Sequence, residues 1–366
     1  MLHWDKGEDM AARRKTGNVT LKDIAQATGF SANTVSRALA DKPDISEETK
    51  AVIREKASQM GYIANALASF LRSGVSRNIA ILVGDISNPH FSVMVKEMQT
   101  LLQRRGYNSI IFNTEEKAAV EKQAITTSLS QNVDGIILCP APGGEENIRF
   151  LQMHGKPFVM IGRHFTGEDA SFVICDDVHG GYAAARYLLD RGHKDILFLN
   201  GPRGISSSAE RLEGYRAALE EKGIAYRSAL VQTVPVTSRR GTEKMRDILS
   251  QRAECTAVLV FNDILAWQVI CILGELGRKV PEQCSVVGFD NIKYPYPVHL
   301  TSVSSSKTTM AKRSVEILLK KLEGQKGAGE ECVVLETDGV EGGTVAVMNE
   351  KRNRQRRWMR GFLKNF

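Results

Sequence analysis

The spacing of apolar residues differs between the first part of the chain and the rest. Between residues 19 and 61, apolar positions recur every three or four residues, which predicts three short amphipathic helices. From Asn78 onward, short uninterrupted apolar runs alternate with longer helical patterns. Such runs are typical of strands in parallel sheets that helices cover on both faces. The pattern therefore predicts an all-α head followed by an α/β body.

The head helices are bounded by residues that favour helix ends. Thr20 with Asp23 three residues later is a capping-box pattern that predicts a helix start, and Gly29 predicts its end. Ser31 is a suitable cap for a second helix, and Ser46 for a third. Two helices joined by a short turn that contains glycine form a helix-turn-helix unit, although a plain three-helix bundle with a polar face has the same pattern.

The outward face of the second helix carries side chains that can read bases. Asn can bond bidentately to adenine, Arg to guanine or a phosphate, and Ala can touch a thymine methyl group. We expect Asn33 and Arg37 to specify the DNA sequence, and Lys22 to add affinity for phosphates. The candidate DNA contacts in the head are Thr20, Lys22, Ser31, Ala32, Asn33, Thr34, Ser36 and Arg37.

The body has more strand–helix alternations than one sheet needs, so two lobes are predicted. The chain should cross between them within residues 163–178 and again within residues 300–306. A last helix over about residues 308–323 should pack on one lobe. The runs VVLET and GTVAV are predicted to form edge strands.

Head and body together resemble the LacI/GalR (lactose-repressor) family of bacterial regulators. The resemblance is carried by VTLKDIAQATGFSANTVSRAL, ISEETK and GYIANALASFLRSG, and in the body by RGHKDILFLNGP, RLEGYRAALEEKG and VPEQCSVVGFDNI. It covers residues 19–346. It implies a transcriptional repressor whose head binds operator DNA and whose body, like a periplasmic binding protein, holds a small effector between two lobes. A homodimer is expected, because two-fold symmetry matches a palindromic operator.

The segment after the head matches the family's hinge helix, over residues 65–72. In the family this helix folds on operator DNA and inserts a leucine into the minor groove, which kinks the duplex. The matching residue is Leu71, with Asn65 and Ala68 as further contacts, while ordinary packing is the other interpretation of Leu71. The sequence departs from the family at Ala64, where proline is common, and at Ala40, where many members have Asn.

Polar residues just past predicted strand ends are the candidate effector contacts. Arg211 offers a rigid fork of donors and Asp290 two acceptors, which suits the hydroxyls of a polyol or a heterocycle. Helix capping is an alternative role for Asn262 and Asp290, and a place in the core for Phe91. The candidates are Ser87, Asn88, Phe91, Arg163, Arg211, Asn262 and Asp290.

The expected effector is a sugar or a sugar derivative, with a nucleoside or purine as the alternative. Gly162 stands where many sugar-responsive members have Asp, and Val236 where an aromatic residue often stacks on the ligand. The pocket should therefore differ from the usual hexose site.

Composition and motifs narrow the class of protein. Apolar content of 42% and charged content of 25% are those of a globular protein, and no apolar run is long enough to span a membrane. The polar N-terminus lacks the apolar segment of a secretion signal, so a cytoplasmic location is expected. The six Cys lack C-x-x-C spacing, which predicts reduced, buried thiols, and the seven His lack metal-ligand spacing. No metal or cofactor is expected.

Other functions fit less well. The chain lacks G-x-G-x-x-G after a first strand, G-x-x-x-x-G-K-[ST] and G-x-S-x-G, so an enzyme is not expected. A transport-type solute-binding protein would share the body, but it would not carry the head.

Positive charge is concentrated at the two ends of the chain. The net charge of +7 divides into +3 for residues 1–78, +6 for residues 350–366 and −2 for the rest, which suits nucleic-acid binding through the head. The basic tail could contact DNA or anionic lipid, or be a solvated end. The predicted domains are an extension (1–18), the helix-turn-helix domain (19–63), the hinge and linker (64–77), the effector-binding and dimerisation body (78–346) and the tail (347–366).

Overall fold

The structure, a computed structural model, divides the chain into two compact units, residues 1–76 and 77–366. It describes residues 19–63, 70–71, 73–236, 239–293, 299–324, 331–340 and 342–348. The expected extension, nearly all of the basic tail and most of the expected hinge helix lie outside the described residues.

The first unit contains the three helices that the sequence predicts. They are α1 (Leu21–Thr28), α2 (Ala32–Leu39) and α3 (Glu47–Gln59). The capping box is present: Asp23 accepts from the Thr20 N–H at 2.8 Å, and its own N–H donates to the Thr20 hydroxyl at 3.4 Å. Gly29 ends α1 in the left-handed region at φ 74°. Ser31 and Ser46 cap α2 and α3 as predicted.

The three helices share one small core. Its buried members are Ile24, Val35, Ala38, Ile53 and Ala57, which come from all three helices. Burying a side chain of the size of Val or Ile stabilises a fold by roughly 1.5–3 kcal/mol. Because Val35 and Ala38 take the inward side of α2, the opposite side of that helix is left on the surface.

The second unit alternates strands and helices. In chain order its elements are β1 (Asn78–Val83), α4 (Pro89–Arg104), β2 (Asn108–Asn113), α5 (Ala118–Ser130), β3 (Gly135–Leu138), α6 (Glu145–Met153), β4 (Phe158–Ile161), β5 (Phe172–Cys175), α7 (Asp177–Asp190), β6 (Ile196–Asn200), α8 (Ser206–Glu221), β7 (Val231–Thr233), α9 (Arg239–Gln251), β8 (Ala257–Val260), α10 (Asp263–Glu275), β9 (Ser285–Asp290), β10 (Thr301–Ser304), α11 (Lys307–Leu322), β11 (Cys332–Leu335) and β12 (Asp338–Val340).

The strands form two sheets, which we call the N lobe and the C lobe. The N-lobe sheet has the order β11-β5-β4-β3-β1-β2 and is parallel throughout. The C-lobe sheet has the order β12-β10-β9-β8-β6-β7 and is parallel except for β12. Separate apolar clusters cover the two faces of each sheet, so the central strands are buried on both sides. The predicted two-lobed α/β body is confirmed.

Within the part of the chain that the structure describes, there are three crossings between the lobes. The chain crosses between β5 and α7 and between β10 and α11, within the two predicted windows, and α11 packs on the N lobe. The third crossing, between β11 and β12, was not predicted. It brings the end of the chain back to the C lobe, because β11 pairs with β5 while β12 pairs with β10.

The prediction of an edge strand at GTVAV is wrong. The C-lobe edge strand is β12, whereas residues 343–347 run without strand pairing. Their backbone groups are bonded singly to loops and strand starts: Val286 donates to Thr344, and Ala346 donates to the Ser285 hydroxyl. Dispersed partners of this kind satisfy the peptide groups without a ladder.

Two further predictions are wrong in part: the start of one helix, and the burial of two of the six thiols. Helix α8 begins at Ser206, three residues before Ala209, where the helical pattern of the sequence predicts its start, so Ser207 and Ser208 belong to the helix and not to a loop. Four cysteines are buried as predicted, but Cys271 and Cys332 are exposed. Among the described residues, no helix is both long and apolar enough to cross a bilayer.

Two glycines allow α7 and α8 to pack backbone to backbone. A Cβ on Gly214 would lie 1.9 Å from the Val178 carbonyl oxygen, and one on Gly181 would lie 2.3 Å from the Arg211 carbonyl oxygen. Both distances are far below van der Waals contact. The crossing therefore requires residues without side chains at both positions.

We expect Gly214→Ala to lower the free energy of unfolding by at least about 1–3 kcal/mol, because the added methyl group meets main-chain atoms that cannot move independently. Gly274→Ala is the matched control, since a Cβ there meets nothing within 4 Å. Ala favours helix over Gly by about 1 kcal/mol, so this control should be neutral or stabilising. Urea unfolding of both variants tests the difference, and equal stability would contradict the packing argument.

Candidate functional site

One face of α2 is exposed and polar. Asn33 and Ala32 are exposed, as are Lys22 on α1 and Thr20 at its start, while Thr34 and Ser36 are half-buried. Residues placed in this way can reach a partner without disturbing the core of the head. The structure therefore puts the predicted DNA contacts of the head on its surface or at the edge of its core.

Arg37 already has an acidic partner within the head. Its Nε donates to Asp44 Oδ2 at 2.8 Å, and its Nη2 lies 2.6 Å from Oδ1. Both side chains are nearly half exposed, and exposed pairs of this kind contribute little to stability. A phosphate or a guanine edge could therefore exchange with Asp44 at small cost. The sequence did not indicate this pairing, because Asp44 lies in the loop after α2.

Three of the candidate hydroxyl groups also hold helix ends. The Ser31 hydroxyl accepts from the Thr34 N–H at 3.0 Å and lies 2.9 Å from the Thr34 hydroxyl. The Thr20 hydroxyl donates to Asp23 at 2.8 Å. These residues therefore position the starts of α1 and α2, whether or not they also contact DNA.

Of the predicted hinge contacts, only Leu71 lies among the described residues. It is helical, and its relative exposure is 76%, so packing does not account for it in this state. Asn65 and Ala68 fall in the segment that is not described. An exposed leucine suits insertion into a partner better than a role in a core.

In the second unit a cavity opens between the two lobes. Its empty volume is about 830 Å³, including space open to solvent. It lies where the carboxyl ends of both sheets meet, the usual ligand position in open α/β folds. All seven candidate effector residues line it: Ser87, Asn88, Phe91 and Arg163 from the N lobe, and Arg211, Asn262 and Asp290 from the C lobe.

On the N-lobe wall, Arg163 is held by Glu116. The contacts are bidentate, with Nη1–Oε2 at 2.5 Å and Nη2–Oε1 at 2.9 Å. Nη1 also donates to the Pro140 carbonyl at 3.1 Å. Both charged side chains are less than one-tenth exposed. A buried bidentate pair of this kind is strongly directional, so the Arg163 side chain is held in one orientation.

On the C-lobe wall, Arg211 is held by Asp177 and by aromatic rings. Its Nε donates to Asp177 at 2.7 Å, and its guanidinium lies 3.9 Å from the centre of the Phe289 ring. It also donates to the Phe261 carbonyl. Burial raises the pKa of Asp177 to about 6, although Arg211 opposes the rise. Arg211 lies in the second turn of α8 and not just past a strand end.

Asp290 connects the two lobes. Its Oδ1 lies 3.2 Å from His90 Nδ1 on α4, and its backbone carbonyl accepts from the Lys307 ammonium on α11. Burial favours the neutral acid, but His90, Arg211 and Lys307 outweigh it and hold the pKa of Asp290 below its usual range. Its φ of 103° is rare for a residue with a side chain, a strain often found at ligand sites.

Three of the candidates could instead cap a helix or belong to the core. Asn262 does cap a helix, since its Oδ1 accepts from the Leu265 N–H at 2.9 Å, and it also lines the cavity. Asp290 caps no helix among the described residues. Phe91 is 5% exposed and belongs to the N-lobe core while one side reaches the cavity. Gly162 and Val236, the two departures from the family pattern, also line the cavity.

Several lining residues had no signal in the sequence. They are Asp85, His90, Glu116, Asp177, Ser207 and Ser305. Glu116 and Asp177 are the acidic partners of the two predicted arginines, so the Arg211 guanidinium, which was expected to face the ligand without a partner, already bonds an acid of the protein. Asp177 could have been predicted as a partner, because it is an acidic residue at the start of a predicted helix and a buried arginine needs an acidic partner.

Asp263, next to the cavity, holds the loop that follows Asp290. Its Oδ2 accepts from the Ile292 N–H at 2.7 Å, and its Oδ1 accepts from the Ser302 hydroxyl at 2.6 Å. Burial, and then the charge of Asp290, raise the pKa of Asp263 to about 8. Burial thus favours the protonated form of Asp263 near neutral pH, while the cationic neighbours of Asp290 favour its charged form.

Known proteins share both units. Residues 20–65 match "Bacterial regulatory proteins, lacI family", and residues 76–321 match "Periplasmic binding proteins and sugar binding domain of LacI family". The chain is 27% identical over 317 residues to the HTH-type transcriptional repressor PurR of Histophilus somni strain 129Pt, which covers 86% of this chain and 95% of that protein. It is 30% identical over 303 residues to the HTH-type transcriptional regulator GalR of Escherichia coli K12, covering 82% and 88%.

A solved structure shares the fold. The Lac repressor dimer bound to operator and the anti-inducer ONPF superposes with a TM-score of 0.79 at 23% identity, over 90% of this chain and 100% of that chain. Together, the helix-turn-helix unit and the two-lobed body define a DNA-binding regulator with a ligand cleft. The second family match spans more than half of the chain, and the chain belongs to the LacI family of bacterial regulatory proteins.

The raised pKa of Asp263 predicts a pH effect on stability. Its folded pKa of about 8 lies above the unfolded value of about 3.9, so the folded state binds one more proton between these values. This group therefore makes the free energy of unfolding fall as pH rises from about 4 to about 8, by up to about 1.4 kcal/mol per unit.

We expect Asp263→Asn to remove this contribution, so urea unfolding between pH 6 and pH 8 should show a shallower decline than in the parent. Burial also raises the pKa of Glu121 to about 7. Because Glu121 is present in both proteins, its contribution cancels in the comparison. Identical pH dependence in the two proteins would contradict a protonated Asp263.

Proposed function

We propose that this regulator represses transcription by binding a palindromic operator as a homodimer, with an affinity that a sugar or sugar derivative in the cleft controls. The observation that carries the proposal is the exposed polar face of α2 in a chain whose body has a cavity lined by buried, oriented polar groups. The dimer is supported by the Lac repressor, which is a dimer on its operator. Action on chromosomal DNA implies a cytoplasmic location.

The head is proposed to make two kinds of contact with DNA, one to base edges and one to phosphates. Asn33 and Arg37, exposed on α2, read base edges in the major groove. Lys22 on α1 contributes charge toward the phosphates. Leu71 in the hinge region, which is 76% exposed, enters the minor groove.

The chemistry of the cavity supports a polyhydroxylated ligand. Carboxylates, amides and hydroxyl groups line it, from Asp290, Asn88, Asn262 and Ser207 among others, and each can exchange hydrogen bonds with sugar hydroxyls. Phe91 and Phe261 add apolar surface for the face of a sugar ring. Binding, and not catalysis, is the proposed role, in keeping with relatives that are transcriptional regulators.

Coupling between cleft and operator is proposed to pass through the lobe arrangement. His90 on the N lobe meets Asp290 on the C lobe, so a ligand that inserts there changes a contact that spans the cleft. An effector can shift DNA affinity only by its differential affinity for the two lobe arrangements. The hinge segment is short, and a helix of about eight residues is marginal alone in water, so its formation can respond to such a shift.

We expect Asn33→Ala to weaken operator binding by about 1–3 kcal/mol, because a base-specific contact is lost, with little change on random DNA. Lys22→Ala is the control: it should weaken both DNAs alike and reduce the salt dependence. Gel shifts on an operator selected from genomic fragments, and on random duplex of the same length, measure both. An equal loss on both DNAs for Asn33→Ala would remove its base-reading role.

We expect Asp290→Ala to keep operator binding but to weaken the response to effector by at least about tenfold, or about 1.4 kcal/mol. Leu71→Ala should do the reverse, losing operator binding while effector binding by the DNA-free protein persists. Asp190→Ala, an exposed carboxylate on the same lobe that does not line the cavity, is the control.

The effector is first identified by thermal shift with sugars, sugar phosphates, nucleosides and purines, since ligand binding to the folded state raises the melting temperature. A response of Asp290→Ala at the parent's effector concentration would contradict the cleft assignment. Parent-like operator binding and bending by Leu71→Ala would contradict the hinge role.

A further inference from the structure

The Arg163–Glu116 pair on the N-lobe wall has a geometry that bears on which ligands can enter. A guanidinium fork is the protein group best suited to grip a carboxylate or phosphate. Here both terminal nitrogens of that fork are bound to the two oxygens of Glu116, and a third bond goes to Pro140. The carboxylate of Glu116 therefore stands where the anionic group of a ligand would bind.

We propose that Glu116 is a specificity-determining residue of the cleft, which occupies the Arg163 guanidinium and thereby excludes anionic ligands in favour of neutral, hydroxyl-bearing ones. This inference rests on the proposed role of the cleft as the effector site. Beyond that role, it states that the effector is uncharged and that Glu116 is the residue that selects against anionic ligands.

The backbone around Glu116 is arranged for this contact. Glu115 and Glu116 have φ of 53° and 56°, two successive left-handed residues that are not glycine. Such a conformation costs roughly 1–2 kcal/mol per residue, so the surrounding contacts must hold it in place. The bidentate bond to Arg163 and the Thr114 carbonyl's bond from the Lys117 N–H are two such contacts.

Gly84 leaves the space that the carboxylate fills. A Cβ at position 84 would lie 2.2 Å from Glu116 Oε1 and 2.6 Å from its Cδ. Any side chain there would push the carboxylate away from Arg163. The loop after β1, the turn before α5 and the loop after β4 thus meet in one arrangement that places the Glu116 carboxylate on Arg163.

The other charges that line the cavity also disfavour an anionic ligand. Four carboxylates line it, from Asp85, Glu116, Asp177 and Asp290, against two guanidinium groups. The second guanidinium, Arg211, is engaged by Asp177 at 2.7 Å. An anionic ligand would therefore meet an excess of negative charge, an occupied fork at Arg163, and at Arg211 a guanidinium already bonded to Asp177 and to the Phe261 carbonyl. A neutral polyol instead finds carboxylate oxygens with lone pairs left to accept its hydroxyl groups.

The test measures binding of inorganic phosphate to the full-length protein at constant ionic strength. The variants are Glu116→Ala, which vacates the site, and Glu116→Gln, which keeps the volume and one acceptor in case the unpaired Arg163 prevents folding. We expect at least one of them to bind phosphate about tenfold or more tightly than the parent by calorimetry, because a charge-assisted fork becomes accessible. Adding Arg163→Met to that variant should abolish the gain.

Glu168→Gln is the matched control. Glu168 pairs with Arg149 on the same lobe but does not line the cavity, so its loss should leave phosphate binding as in the parent. Two results would overturn the proposal: parent protein that binds phosphate as tightly as the variants, or folded variants that gain nothing.

A parallel titration of the parent with neutral sugars separates this proposal from the proposed function. If a neutral sugar binds the parent but neither variant gains phosphate, the cleft is an effector site and the role of Glu116 is wrong. If Glu116→Ala gains phosphate through Arg163 while no small molecule binds the parent, Glu116 does block the fork and the effector role of the cleft is wrong.

Discussion

The hydrogen bonds that tie the three crossings of the chain together are the constraint on which the cleft depends. The Asp176 N–H donates to the Leu335 carbonyl at 2.8 Å, and the Thr337 hydroxyl donates back to the Asp176 carbonyl at 3.2 Å. The Cys175 thiol donates to the Ser305 carbonyl at 3.0 Å, so the second crossing is bound to the first. Because the crossings are joined, the two sheets present their carboxyl ends to one shared space. A single crossing would leave the lobes far freer to separate.

Charge compensation is the second organising feature of the cleft. Each buried arginine on its walls has an acid of its own lobe, Glu116 for Arg163 and Asp177 for Arg211. Removing one partner of such a pair would leave an uncompensated buried charge, which is strongly destabilising. The pair His90–Asp290 differs, since it joins the lobes and so depends on how they are arranged. His164 on the N lobe also pairs with Glu210 on α8, and the Lys307 ammonium with the Asp290 carbonyl, so several polar contacts cross the gap between walls that are each held by pairs within a lobe.

Most of the fold could be predicted because its signals are local. The caps at Thr20, Ser31 and Ser46 act within three residues of the helix that they start, and they appear where the sequence indicated. Buried strands can likewise be recognised in the sequence as uninterrupted apolar runs. The errors came where local signals are weak. The three serines before Ala209 favour caps and loops, yet they extend α8. The apolar alternation of GTVAV resembles a strand, yet its peptide groups find separate partners.

The sequence by itself determined the two-part organisation, the positions that enclose each core, and the polar face of α2, because periodicity and capping are properties of neighbouring residues. It also indicated seven side chains that line the cleft, since parallel sheets bring their strand ends to one edge, although Arg211 lies within α8 and Phe91 within α4. Only the tertiary structure decided the partners of those side chains. Glu116 meets Arg163 across 47 residues of chain, and His90 meets Asp290 across 200. Pairings over such distances depend on how the strands are ordered in the sheets and on where the chain crosses between the lobes. No local pattern carries that information.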